Sequence, residues 1–126
     1  MINKTRSAPL QALTEAECRT LLATSEVGRL AITQRALPAL IPVRLRLVGD
    51  HVLIESLIGM AVPLATQSVA ALETGNLGEG LGREWSVEVC GLLQRDVSAR
   101  VGVDEGETSD TFRLATTIIR GWCSRS

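Results

Sequence analysis

The chain has 126 residues and a mass of 13.5 kDa, enough for one domain with a proper core and too little for two. Hydrophobic residues make up 45% and charged residues 21%, with a mean hydropathy of +0.20, which excludes a disordered chain; a net charge of -1 and a pI of about 5.8 exclude a general polyanion binder. No apolar run reaches the ~20 residues of a membrane span, and Met1-Ile2-Asn3-Lys4-Thr5-Arg6 lacks the apolar stretch of a secretory signal, so a cytoplasmic protein without nucleic-acid or membrane partners is expected.

Residues 1–12 are polar and include Pro9, and read as an arm before a single domain spanning 13–126. Leu13-Thr14-Glu15-Ala16-Glu17-Cys18 carries a capping box, in which the Thr14 hydroxyl accepts from the Glu17 N–H and the Glu17 carboxylate accepts from the Thr14 N–H. Leu13 and Cys18 stand where a hydrophobic staple closes. Cys18, Leu21 and Leu22 supply the apolar face of a helix that fades near Thr24 to Glu26.

From Val27 the period becomes two. Leu30 and Ile32 fall on one side of a strand, with Arg29, Ala31 and Thr33 on the other. After a turn at Gln34-Arg35, Ile41, Val43, Leu45 and Leu47 alternate with Pro42, Arg44, Arg46 and Val48. Pro42 lacks a donor, which places that stretch at an edge or bulge. Gly49-Asp50 turns the chain into His51-Val52-Leu53-Ile54-Glu55, completing a hairpin, and His51 reads as an exposed turn residue.

Met60 to Gln67 reads as a short helix, with Pro63 tolerable only in its first turn. A strand follows at Ser68 to Glu73. The loop 74–83 is rich in glycine but has neither the Lys-Ser/Thr ending of a P-loop nor the setting of a dinucleotide fingerprint. Trp85 to Gln94 is the best strand, with Trp85, Val87, Val89 and Leu93 sharing a face. The acidic loop 104–107 separates it from a single closing strand over Thr111 to Arg120. One helix and six or seven mainly antiparallel strands predict a small β-barrel.

Apart from one Phe and two Trp the apolar residues are aliphatic, and so greasy a small domain is expected to bury surface against a copy of itself. Cys18, Cys90 and Cys123 are odd in number and lack metal-ligand spacing, so reduced thiols and no metal site are expected. A single His without a placed acid partner gives no triad, and no carboxylate pair is arranged for acid–base work.

The order Leu13-Thr14-Glu15-Ala16-Glu17-Cys18, Val27-Gly28-Arg29-Leu30-Ala31, Leu37-Pro38-Ala39 with Ile41-Pro42-Val43, and Trp85-Ser86-Val87 with Gly91 resembles the split-barrel flavoproteins related to pyridoxamine 5'-phosphate oxidase. The likeness covers roughly residues 13–95. It implies a mainly β split barrel of six to seven mostly antiparallel strands, with one N-terminal helix and one short helix. It also implies a homodimer with FMN at its interface, and flavin-dependent oxidoreductase chemistry on a small-molecule substrate that the sequence does not name. FMN is expected in preference to the deazaflavin F420.

By the same resemblance the cofactor-binding residues are Val43, Arg44, Ser56, Gly59, Trp85 and Ser86, with no catalytic residue assignable. The family's phosphate motif, approximately R-T-x-x-G-x-K, aligns with Glu55-Ser56-Leu57-Ile58-Gly59-Met60-Ala61, where only the hydroxyl and the glycine survive. Glu55 then sets a like charge where an arginine fork would bind phosphate. Arg44, Arg46 or Arg83 is positioned to compensate, although Arg44 and Arg46 also fit a solvated strand face. Trp85 fits the border of an isoalloxazine ring or a core anchor, and Ser56 a phosphate contact or a strand end. Arg113 and Arg120 are scattered, which argues against the substrate-phosphate site of a true pyridoxamine phosphate oxidase. The altered clamp leaves a rival reading open: a cofactor-free relative that serves as a dimeric binding or interaction module.

Overall fold

Thr14 starts the only helix among the described residues, because its extended backbone leaves its hydroxyl free to accept from the Glu17 N–H at 3.1 Å while Glu17 Oε1 accepts from the Thr14 N–H at 2.8 Å. The helix, α1, runs Glu15–Ala23 and ends at Thr24, where the backbone N–H groups of Thr24 and Ser25 return to the Leu21 and Leu22 carbonyls. In the computed structural model the described residues are 9–34, 36–58, 68–80, 82–96 and 111–124. The expected short helix at Met60–Gln67, the acidic loop 104–107, Gly59 and Ala61 lie outside them.

Eight strands follow the alternations of the sequence: β1 Gln11–Ala12, β2 Val27–Gln34, β3 Leu37–Val48, β4 His51–Ser56, β5 Ser68–Gly75, β6 Trp85–Arg95, β7 Thr111–Ala115 and β8 Ile118–Cys123. Six of them close a ring in the order β2-β3-β4-β7-β6-β5, every pair antiparallel. Leu30, Val43, Val52, Leu72, Val87, Val89, Leu93, Phe112 and Leu114 point inward and are fully buried. Each such side chain stabilises the fold by about 1.5 to 3 kcal/mol relative to exposure, so the barrel interior, more than the helix, carries the fold.

The barrel is split at β6. Its first half pairs with β8, from Trp85 opposite Cys123 to Cys90 opposite Ile118, and its last three residues pair with β7. Between these ladders Gly91 and Leu92 face three residues, Ala115, Thr116 and Thr117, so the β7–β8 side bulges by one residue. Gly91 makes the bulge possible: a Cβ there would collide with the Ala115 carbonyl. Thr116 is tied down by its N–H and hydroxyl, both donating to the Asp50 carbonyl at 3.2 and 2.7 Å.

The single closing strand expected over Thr111 to Arg120 is therefore corrected to two strands. A continuous β-branched run does not reveal that its partner strand carries a glycine where the chain must step aside. The polar arm is also shorter than expected, because Gln11 and Ala12 pair with Cys123 and Trp122 on the edge of β8. Helix α1 covers β8, with Cys18 and Leu22 fully buried and Gly121 directly beneath the Cys18 sulfur. The three cysteines are free thiols. Burial pushes the Cys18 and Cys90 thiols up from the ordinary value. Among the described residues no helix is long and apolar enough to cross a membrane.

Candidate functional site

The outer face of β3 and β4 carries Arg44, Arg46 and Glu55. Inward Ile41, Val43 and Leu45 fix Pro42, Arg44 and Arg46 outward, and inward Val52 and Ile54 fix Leu53 and Glu55 outward. The register sets Val43 opposite Ser56 and Arg44 opposite Glu55. Arg44 and Glu55, but not the Val43 and Ser56 side chains, border a cleft of about 900 Å³ between the end of α1 and the β3–β4 hairpin, lined also by Glu26, Val27, Arg46, Leu53 and Thr111. Its wall is held by the Leu45 N–H donating to the Glu26 carbonyl at 2.9 Å.

Val43 is fully buried, so its side chain is part of the core and only its backbone is positioned to meet a ligand. Ser56 ends β4, and its hydroxyl accepts from the Ile58 N–H at 3.3 Å. Arg44 and Arg46 are exposed at the cleft. Among the described residues no carboxylate comes within ion-pair distance of Arg44, Arg46 or Arg113, although Glu55 faces Arg44 across the strands.

Trp85 and Ser86 are not brought to this cleft within one chain. Ser86 lies three strands around the barrel from β3, roughly 14 to 15 Å at the ordinary strand spacing. It is buried, and its hydroxyl donates to Glu73 Oε2 at 3.0 Å. It borders a smaller depression of about 320 Å³ with Arg29, Leu40, Glu73, Glu88 and Trp122. There Arg120 holds Glu88 through two hydrogen bonds at 3.0 and 3.1 Å, keeping the carboxyl below its usual range. Trp85 sits on the opposite side of the sheet, against Leu13, Leu21 and Cys123 under the helix, in agreement with a core anchor.

Arg83 does not compensate in the cleft. Its guanidinium reaches Cys123 Sγ at 3.0 Å beside α1. His51 begins β4 half-buried, with Nδ1 at 3.3 Å from the Asp50 carboxylate, and takes no part in the cleft. Among the described residues no group of three His, Cys, Asp or Glu side chains is placed to hold a metal ion.

Arg113, scattered in the sequence, gains a place beside the cleft residues. Strand β7 pairs with β4, setting Arg113 beside Leu53, while Leu53 pairs with Arg46 on its other side. A separation of 67 positions between Arg46 and Arg113 hides the relationship, and only the closure of the barrel creates it.

A split barrel closed by β6, with one capped helix, is the fold shared with pyridoxamine 5'-phosphate oxidase-like proteins. The family model described as pyridoxamine 5'-phosphate oxidase matches residues 14–117, and the chain belongs to that family. Among solved structures, it is similar to the FAD-binding protein of Mycobacterium smegmatis, with 23% identity and a TM-score of 0.71, covering 93% of this chain and 100% of that one. It is also similar to a putative pyridoxamine 5'-phosphate oxidase of Corynebacterium glutamicum, with 18% identity and a TM-score of 0.71 over 94% and 100%. An FAD-binding protein of Mesorhizobium loti gives 18% identity and a TM-score of 0.68 over 94% and 98%. No curated protein sequence matches significantly.

Proposed function

We propose that the protein is a homodimeric, flavin-binding oxidoreductase-like member of its family that takes FMN in the β3–β4 cleft. The observation that carries this reading is the register of β3 against β4, which sets Arg44 opposite Glu55 at the cleft, with Val43 opposite Ser56 one position along. The cleft fits such a group: its volume of about 900 Å³ lies in the range of small-molecule sites, Val27 and Leu53 offer apolar surface, and Arg44 and Arg46 offer fixed positive charge. The relatives named for FAD binding support a flavin of some kind.

When bound, the flavin supplies hydride or electron transfer. The chain's own residues bind and orient it. In this reading backbone groups around Val43 would border the ring, Val27 and Leu53 would exclude water, and the arginines would hold the anionic end. Ser86 and Trp122 face the same side of the barrel as Arg44 but lie strands away, so a second copy is the route by which such residues join the site. The exposed Leu40, at 72%, and Val69, at 74%, on this outer face support that pairing.

Glu55 favours a second reading, in which the barrel persists without cofactor as a dimeric binding module. A carboxylate at the cleft mouth opposes an anionic ligand. The visible spectrum of protein reconstituted with FMN, FAD or F420 and then desalted separates the two. Retained flavin bands support the first reading, and a colourless protein with no measurable flavin affinity rejects it.

A further inference from the structure

The positive charge of the cleft is unevenly spread, and the strand ladders show how. On the outer surface Arg46, Leu53, Arg113 and Gln94 form one continuous row across β3, β4, β7 and β6. The next row along runs Val27, Arg44, Glu55 and Thr111. The carboxylates that line the cleft belong to this second region, Glu55 within the row and Glu26 just before Val27. The first row therefore holds two arginines and an amide, and no acid.

Arg46 and Arg113 stand two strand spacings apart, about 9 to 10 Å, with half-buried Leu53 between them. Like charges at that separation repel, and among the described residues neither has a carboxylate to offset this. Both side chains are long enough for their guanidinium forks to meet above Leu53, and the remaining Arg44 lies one pleat along β3.

We infer that the Arg46–Leu53–Arg113 row is an anion seat and that its ligand is a phosphate ester or diphosphate. Two forks approaching from opposite sides need an acceptor with at least three terminal oxygens and a charge near two, which a phosphate has; a carboxylate is satisfied by one fork. Leu53 gives the seat an apolar floor, and Arg44 supplies a further donor toward a second phosphate. The identity of the phosphate carrier as a flavin rests on the proposed function, whereas the seat itself does not.

The test uses the full chain, with Arg46→Ala, Arg113→Ala and Arg46→Lys, and with Arg120→Ala as an ion-paired control outside the cleft. Fluorescence-quenching titrations compare FMN with riboflavin, which lacks the phosphate. The wild type is expected to prefer FMN by about tenfold or more. Arg46→Ala or Arg113→Ala removes most of that preference, Arg46→Lys keeps part of it, and Arg120→Ala leaves it intact. Equal binding of both flavins by the wild type, or full preference in both alanine variants, overturns the seat and leaves the flavin reading standing. If neither flavin binds, calorimetric titration with inorganic pyrophosphate decides: binding abolished by both alanine substitutions keeps the seat and removes the flavin reading, and no binding removes both.

Discussion

Arg44 and Glu55 stand directly opposite each other on β3 and β4, so a positive and a negative group share one cross-strand position at the mouth of the cleft. Directly opposed side chains begin about 5 Å apart at Cβ, close enough that the acid modulates whatever the arginine holds.

Replacing Glu55 by Arg removes a like charge beside a phosphate and adds a donor fork. Discounted for the exposure of Glu55, the gain is about 1 to 1.5 kcal/mol, or roughly fivefold to tenfold in affinity. FMN affinity should rise by that factor and riboflavin affinity should change little. Titration of both ligands checks this, and equal gains would show that the phosphate lies elsewhere.

Gly91→Ala places a methyl against the Ala115 carbonyl at the bulge where β7 gives way to β8. Backbone cannot yield as a flexible side chain does, so a loss of about 2 to 3 kcal/mol is expected. Urea unfolding followed by circular dichroism measures it. A variant as stable as the parent would show that the ladders are not pinned at this glycine.

Thr14→Ala removes the hydroxyl that accepts from the Glu17 N–H at 3.1 Å. A loss of about 1 kcal/mol is expected from this substitution, seen as a lower urea midpoint with an unchanged slope. Thr14→Ser should restore most of it.

Glu88 is held below the usual carboxylate range, first by its hydrogen bonds from Arg120. A depressed folded value means that the unfolded chain takes up the proton first as pH falls. The contribution is thus present above the ordinary carboxylate value and is lost as pH drops through the lower folded value. The stability advantage of the wild type over Glu88→Gln should accordingly be full at pH 7 and shrink as the pH falls below the ordinary carboxylate range. An advantage that is constant with pH would show that the pairing is not electrostatic.

Leu40 is 72% exposed on the outer face of β3. If two copies pair through this face, Leu40→Asp buries a charge at the contact and shifts the protein from dimer to monomer in light scattering at micromolar concentration. A wild type that is already monomeric would remove the dimer from the proposed function.

The local rules written in the sequence hold where neighbours along the chain decide the outcome. Thr14 and Glu17 cap the helix, and the alternation of Ile41, Val43 and Leu45 with Pro42, Arg44 and Arg46 assigns each residue of β3 to its face. Gly49, at φ 59°, turns the β3–β4 hairpin in a conformation that a side chain resists. Hydrogen bonds three residues apart, period two and turn chemistry are all short-range, so they survive as patterns in a string of letters. The splitting of the last strand at Gly91, the distance of Ser86 from the β3–β4 cleft, the diversion of Arg83 to Cys123 and the placing of Arg113 across Leu53 from Arg46 all depend on which strands become neighbours. That choice is made by closing the barrel around Phe112, Leu114 and their partners, and burial of apolar surface is indifferent to distance along the chain.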